Sequence, residues 1–180
     1  MKISNTVLND CVVIEPDVYH DNRGFFLETY HAERYSKISN MNLTFVQDNC
    51  SRSKLGTLRG LHFQKTKPQG KLIRVMRGNI LDVAVDLRKN SSTYAKYITI
   101  ELSDQNQKQL WVPPGFAHGF LVLSLEADVE YKCTTFYDPD DEGSIIWNDP
   151  TLNITWPTET AISISPKDLD AGTFLDYDRS

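Results

Sequence analysis

The sequence predicts an all-β sandwich or barrel, and three observations predict it. Several runs alternate apolar and polar residues with period two, the mark of half-buried strands. Turn signals separate them: Arg77-Gly78-Asn79, Arg88-Lys89-Asn90, Pro113-Pro114-Gly115 and Asp138-Pro139-Asp140-Asp141. Helical periodicity is scarce. Many short strands at this spacing suggest stacked or closed sheets. At 180 residues and 40 % hydrophobic, the chain is long enough for a sizeable core. With no repeat, low-complexity stretch or linker, residues 1–180 are expected to form a single domain.

The elements follow in order. The early helix candidate is His31 to Ile38. Gln47 and Asn49 share one strand parity. Leu58 to Gln64 reads as a short strand carrying His62, and Lys71 to Met76 as another that Lys71 opens. Ile80 to Leu87 shows the alternation best: Leu81, Val83, Val85 and Leu87 face one way, Asp82, Ala84 and Asp86 the other. Tyr97 to Leu102 repeats it. His118 to Leu123, Asp128 to Phe136 and Ile145-Ile146-Trp147 are further strand candidates. Pro166 to Leu169 opens a short C-terminal helix. The acidic tail, Ala171 to Ser180, carries no assignment.

Composition narrows the function. The formal charge of −5 argues against broad nucleic-acid binding, which calls for basic patches. An anionic substrate would need local Arg and Lys. No apolar run approaches the roughly 20 residues of a membrane helix. Met1 to Asn5 lacks the apolar core of a signal peptide. Cys11, Cys50 and Cys133 form no CxxC pattern and leave one unpaired. A reduced, cytoplasmic protein with three buried free thiols is expected.

The chemistry concentrates in Leu58-Arg59-Gly60-Leu61-His62-Phe63-Gln64 and Gly70-Lys71. A histidine takes a proton at neutral pH. A nearby lysine holds the negative oxygen that proton removal leaves behind. Together they suggest carbanion chemistry next to a carbonyl. Strict alternation puts Arg59 and His62 on opposite faces, and Gly60 would permit a bulge that re-aims one of them. Tyr131 shares parity with Val129 and Cys133, which fits an inward-facing residue of either core or site.

Further motifs occur in order along the chain: Arg23-Gly24-Phe25-Phe26-Leu27-Glu28, Phe45-Val46-Gln47-Asp48-Asn49, Trp111 to Phe120, Tyr131-Lys132-Cys133-Thr134, Glu142 to Asp149 and Ser165-Pro166-Lys167-Asp168. With the His62 and Lys71 segments, they make the chain resemble the dTDP-4-dehydrorhamnose 3,5-epimerase family across nearly its whole length. The resemblance implies a cupin-type β-jelly roll with a few short helices. It also implies a homodimer whose N-terminal segments pair across subunits. The implied reaction inverts C3 and C5 of dTDP-4-dehydro-6-deoxy-D-glucose, a step toward dTDP-L-rhamnose and cell-surface glycans such as O-antigen.

By that resemblance His62 is the base, and Asp168 bonds its ring and fixes the tautomer. Lys71 stabilises the enolate at the C4 oxygen, and Tyr131 returns a proton from the opposite face. Arg59, His118 and Lys167 contact substrate, with diphosphate neutralisation the natural role of the cations. Gln47 and Asn49 bond sugar or base. Tyr137 stacks on thymine, sharing Tyr131's strand face if that strand is unbroken. Arg23 and Glu28 reach the neighbouring subunit's site, and Glu142 is a further contact. The segment Lys65 to Gln69 is slightly shorter than in the family.

No metal and no cofactor are expected. Many cupins bind a metal through two nearby histidines, a Glu and a later His. Here Gln64 stands where HxH would put the second histidine, leaving His62 and His118, below the usual ligand count. His20 and His31 read as surface residues. A related enzyme inverting only C3 or C5, or taking another nucleotide's 4-keto sugar, would keep the same residues. Ketoisomerases of this fold are disfavoured by the His62, Lys71, Tyr131 and Asp168 set. A non-catalytic sugar-nucleotide-binding cupin would be expected to have lost one of His62, Lys71 and Tyr131, and a storage-type structural cupin to lack the acid–base pair.

Overall fold

The computed structural model describes residues 1–36, 44–157 and 163–179. In chain order the strands are β1 (Lys2–Asn5), β2 (Val12–Glu15), β3 (Val18–Asp21), β4 (Gly24–Leu27), β5 (Gln47–Lys54), β6 (Thr57–Gln64) and β7 (Lys71–Arg77). They continue as β8 (Asn79–Asp86), β9 (Tyr97–Ser103), β10 (Gln109–Val112), β11 (Phe116–Val122), β12 (Glu126–Cys133), β13 (Glu142–Ser144) and β14 (Ser163–Ile164). Helix α1 spans Ala32–Tyr35, α2 Pro166–Leu169 and α3 Phe174–Arg179. One sheet has the order β1-β2-β10-β7-β12-β5. The other has the order β13-β6-β11-β8-β9, with β14 added parallel to β6. β3 and β4 form a separate hairpin. The two sheets face each other as the expected jelly-roll sandwich.

Side-chain alternation builds three apolar layers. Between the sheets lie Ile73 and Val75 of β7, Ile80 and Ala84 of β8, Leu110 of β10, Phe116 and Phe120 of β11, and Val129 of β12. Outside the second sheet, Leu58, Leu61, Val83, Val85 and Leu121 pack under Leu152, Ile154, Trp156 and Phe174. Outside the first sheet, Val12, Ile14, Leu72 and Trp111 pack with Tyr35 of α1. Among the described residues no helix is long and apolar enough to cross a membrane.

Several expectations are corrected. β8 is not half-buried. Leu81, Val83, Val85 and Leu87 do share a face, but Ile80 and Ala84 on the other enter the inter-sheet core, and Asp82 and Asp86 are fully buried there. The C-terminal segment covers what would otherwise be the solvent face. Ile145-Ile146-Trp147 is not a strand. The strand is Glu142–Ser144, and buried Ile145 follows it, exchanging backbone bonds with Leu61 and bridging to Gly172. β12 ends at Cys133, and one further bond in the same register follows, from the Thr134 amide to the Gly70 carbonyl. Helix α1 is shorter than expected, and Lys37 and Ile38 lie outside the described residues. Cys11 and Cys133 are buried, but Cys50 is exposed on the outer parity of edge strand β5. His20 is exposed, whereas His31 is half-buried and its Nδ1 has no hydrogen-bond partner. The tail forms α3, whose Phe174 and Tyr177 help close the outer core.

Candidate active site

A cavity of about 330 Å³ opens between the sheets at the end where the inter-sheet layer turns polar. That volume falls at the lower end of small-molecule sites. β6 of the second sheet lines it with His62 and Gln64. From the first sheet come Gln47 and Asn49 of β5, Lys71 of β7 and Tyr131 of β12. Glu142 of β13 and Tyr137 and Gln69 from loops complete the wall.

A bulge in β6 aims its side chains. His118 of β11 pairs with His62, and Phe120 with Arg59, so three steps on β6 face two on β11. Gly60 occupies the extra position at φ +116°. A Cβ there would meet Gly119 Cα and the His118 carbonyl oxygen, each at 2.7 Å. Because of the bulge, Leu58 and Leu61 both reach the outer core. Arg59 and His62 therefore share the inward face. The Arg59 guanidinium Nε donates to Ser53 Oγ at 3.0 Å, an anchor the sequence reading did not name.

His62 Nε2 lies 2.6 Å from Asp168 Oδ1. Asp168 is 4 % exposed. It is carried by α2, whose first turn is closed by Ser165 Oγ accepting from the Asp168 amide, with Pro166 opening the helix. The second carboxylate oxygen accepts from the Gly60 amide at 3.4 Å, so the bulge and the acid brace each other. A second imidazole stands beside the first. His118 Nε2 lies 2.9 Å from both Asp82 oxygens, deep in the sandwich. Asp82 was missed as a site residue. Its signal was an acid at a parity that the structure turns inward.

Lys71 pairs with Cys133 across β7 and β12. Its Nζ lies 5.8 Å from the Tyr131 ring centre, and among the described residues it makes no ion pair. Burial pulls its ammonium below the ordinary lysine range. Tyr131 moves the other way: burial, then the Cys133 thiol, raises its phenol, and the Arg59 charge partly offsets the rise.

Tyr137 reaches the mouth of the cavity from the loop after β12, not from the Tyr131 face, because the strand has already ended. Its amide donates to Gln47 Oε1 at 2.8 Å, and its hydroxyl donates to Glu142 Oε2 at 2.8 Å. Lys167 also donates to that Glu142 oxygen. Burial pushes the Glu142 carboxyl up, but the bonds from Lys167 and Tyr137 outweigh it and leave the group below its ordinary value. Gln47 in turn donates to Asn49 Oδ1 at 3.1 Å.

Arg23 and Glu28 are not brought to this cavity. Arg23 pairs with Asp21 on the exposed β3–β4 hairpin, and Glu28 pairs with Arg34. Among the described residues no three His, Cys, Asp or Glu side chains converge as a metal site requires.

A model of the family described as dTDP-4-dehydrorhamnose 3,5-epimerase matches residues 5–176. The chain belongs to this family. It is 52 % identical over 165 residues to the dTDP-4-dehydrorhamnose 3,5-epimerase of Methanothermobacter thermautotrophicus, covering 91 % of this chain and 89 % of the relative. A crystal structure of the Legionella pneumophila dTDP-6-deoxy-D-glucose-3,5-epimerase in complex with dTDP-4-keto-L-rhamnose superposes with a TM-score of 0.94 at 46 % identity. It covers 98 % of this chain and 95 % of that one. A more distant structure, a 3'-monoepimerase from Streptomyces bikiniensis in complex with dTDP-quinovose, has a TM-score of 0.91 at 28 % identity, covering 97 % and 88 %.

Proposed function

We propose that this chain is an isomerase that inverts C3 and C5 of dTDP-4-dehydro-6-deoxy-D-glucose, giving dTDP-4-dehydro-L-rhamnose for dTDP-L-rhamnose synthesis. Relatives of 52 % and 46 % identity over nearly the full chain support the activity. The observation that carries the mechanism is the meeting of His62, held by Asp168, with Lys71 and Tyr131 from the facing sheet around one cavity. C3 and C5 flank the C4 ketone, so loss of either proton gives an enolate. His62 takes the proton, and the C–H electron pair moves to the C4 oxygen beside the Lys71 ammonium. Tyr131 then returns a proton to the other face of the carbon. Acid and base on opposite sheets suit an inversion, since one group on one side would restore the starting configuration. Asp168 holds the ring and stabilises the imidazolium.

Arg59, His118 and Lys167 serve the nucleotide diphosphate and sugar, with Gln47, Asn49 and Glu142 as further polar contacts. Tyr137 stacks on the base. The working protein is a homodimer in which Arg23 and Glu28 enter the neighbouring site. It acts as one domain in the reducing cytoplasm and requires no metal or cofactor. A single-site epimerase is the second reading, favoured by the shared fold of the 3'-monoepimerase.

Incubation with dTDP-4-dehydro-6-deoxy-D-glucose in D₂O, followed by NMR, tests both. Deuterium at C3 and C5 with an L-rhamno product is expected. Deuterium at one carbon would select the second reading. A His62→Ala protein should lose exchange at both carbons by a factor of about 10³ or more while still binding dTDP. Full exchange in that variant would remove His62 as the base.

A further inference from the structure

We infer that Gln64 is a positioning residue that sets the aromatic lid of the nucleotide site. The inference rests on the reading of Tyr137 as the base-stacking residue. Gln64 is 6 % exposed and stands two residues beyond His62 on the same inward face of β6. Its carboxamide oxygen accepts from the Asp138 amide at 2.9 Å. Its nitrogen donates to the Lys67 carbonyl at 2.7 Å and to the Phe136 carbonyl at 3.4 Å. Phe136 and Asp138 are the two chain neighbours of Tyr137. One side chain thus grips the backbone on both sides of the aromatic and ties it to the loop after β6.

The remaining contacts of Tyr137 complete the hold. Gln47 Oε1 accepts a hydrogen bond from its amide and Glu142 Oε2 accepts one from its hydroxyl. Tyr137 lines the cavity and is still 49 % exposed, so burial alone does not hold it. Its orientation therefore depends on these bonds. The task also explains the side-chain type. A planar amide offers an acceptor and two donors on one terminus. A neutral imidazole has a single donor and could not serve both carbonyls. The position where a metal-binding cupin carries a second histidine is used here to fix a loop.

Ordering the lid before the ligand arrives removes an entropic penalty from nucleotide binding and leaves proton transfer at His62 untouched. The test compares Gln64→Met, which keeps length and loses every hydrogen bond, with the parent protein. dTDP affinity is read by calorimetry, and kcat and KM by exchange into D₂O. Roughly tenfold weaker dTDP binding and a matching rise in KM are expected, with a much smaller change in kcat. The same substitution in a Tyr137→Ala background should weaken dTDP binding no further, because the group it positions is gone. Equal losses in both backgrounds, or a fall in kcat at unchanged affinity, would overturn the inference. Should Gln64→Met fail to fold by thermal melt, Gln64→Asn enters the same cycle. It stays neutral and keeps the amide but is one methylene shorter than the side chain that makes the three bonds. If the parent protein itself fails to bind dTDP, the nucleotide reading falls and the inference with it.

Discussion

At the scale of single residues, Lys71 sets its proposed role against stability. Its ammonium is taken partly out of water without an ion-pair partner among the described residues, and burial lowers its affinity for the proton. An uncompensated charge of this kind disfavours the folded state. The sign follows from proton counts. Between Lys71's lowered folded value and the ordinary 10.5, the unfolded chain holds a proton that the folded chain has lost, so stability rises with pH there. Over the same interval Lys71 loses the charge proposed to hold the enolate, so the rate is expected to fall. Lys71→Met should therefore cut exchange by about 10² to 10³ while raising the unfolding midpoint in denaturant. Its stability should also lose the alkaline rise. A Lys71→Met protein less stable than the parent at neutral pH would contradict the cost assigned to that buried charge.

At the scale of elements, the bulge of β6 decides which residues meet. Gly60→Ala would set a Cβ against Gly119 and the His118 carbonyl at a backbone angle that only glycine adopts easily. A loss of about 2–4 kcal/mol is expected in denaturant unfolding. Surviving activity should fall as well, because the same distortion moves His62 relative to Asp168. Much of this was legible beforehand. The parity conflict between Arg59 and His62, with a glycine between them, pointed to a bulge. What stayed hidden has physical causes. β1 to β4 are four residues each, too short for a period-two pattern to stand out. In β10 all four residues are buried, so there is no alternation to read. Parity gives a face but not the group beyond it. The pairing of Asp82 with His118 depends on the register of β8 and β11, and the reach of Gln64 on loops closing across the cavity mouth. The His62–Asp168 link was open to resemblance but not to pattern, since it joins residues more than a hundred apart.

At the scale of the whole molecule, the chain holds the proposed catalytic set and an arm that does not reach it. The β3–β4 hairpin carries Arg23 and shows Tyr19 at 63 %, Phe25 at 56 % and Phe26 at 71 % exposure. Large aromatics this open on a two-stranded ribbon suit burial against another surface. In the proposed dimer, each site takes His62 from one subunit and Arg23 from the other. Complementation tests that geometry without a structure of the assembly. Arg23→Ala and His62→Ala proteins, each nearly inactive alone, are unfolded together and refolded as a mixture. Every mixed dimer then holds one site with a native His62 facing a native Arg23, and one site lacking both. Random pairing makes half the dimers mixed, so recovery of about a quarter of the parent activity is expected. Were Arg23 to serve the site of its own subunit, no pairing would unite the two native residues, and the mixture would stay as inactive as its parts. Each variant carried alone through the same unfolding and refolding should stay inactive, which ties the rescue to mixed dimers and not to a contaminating parent enzyme.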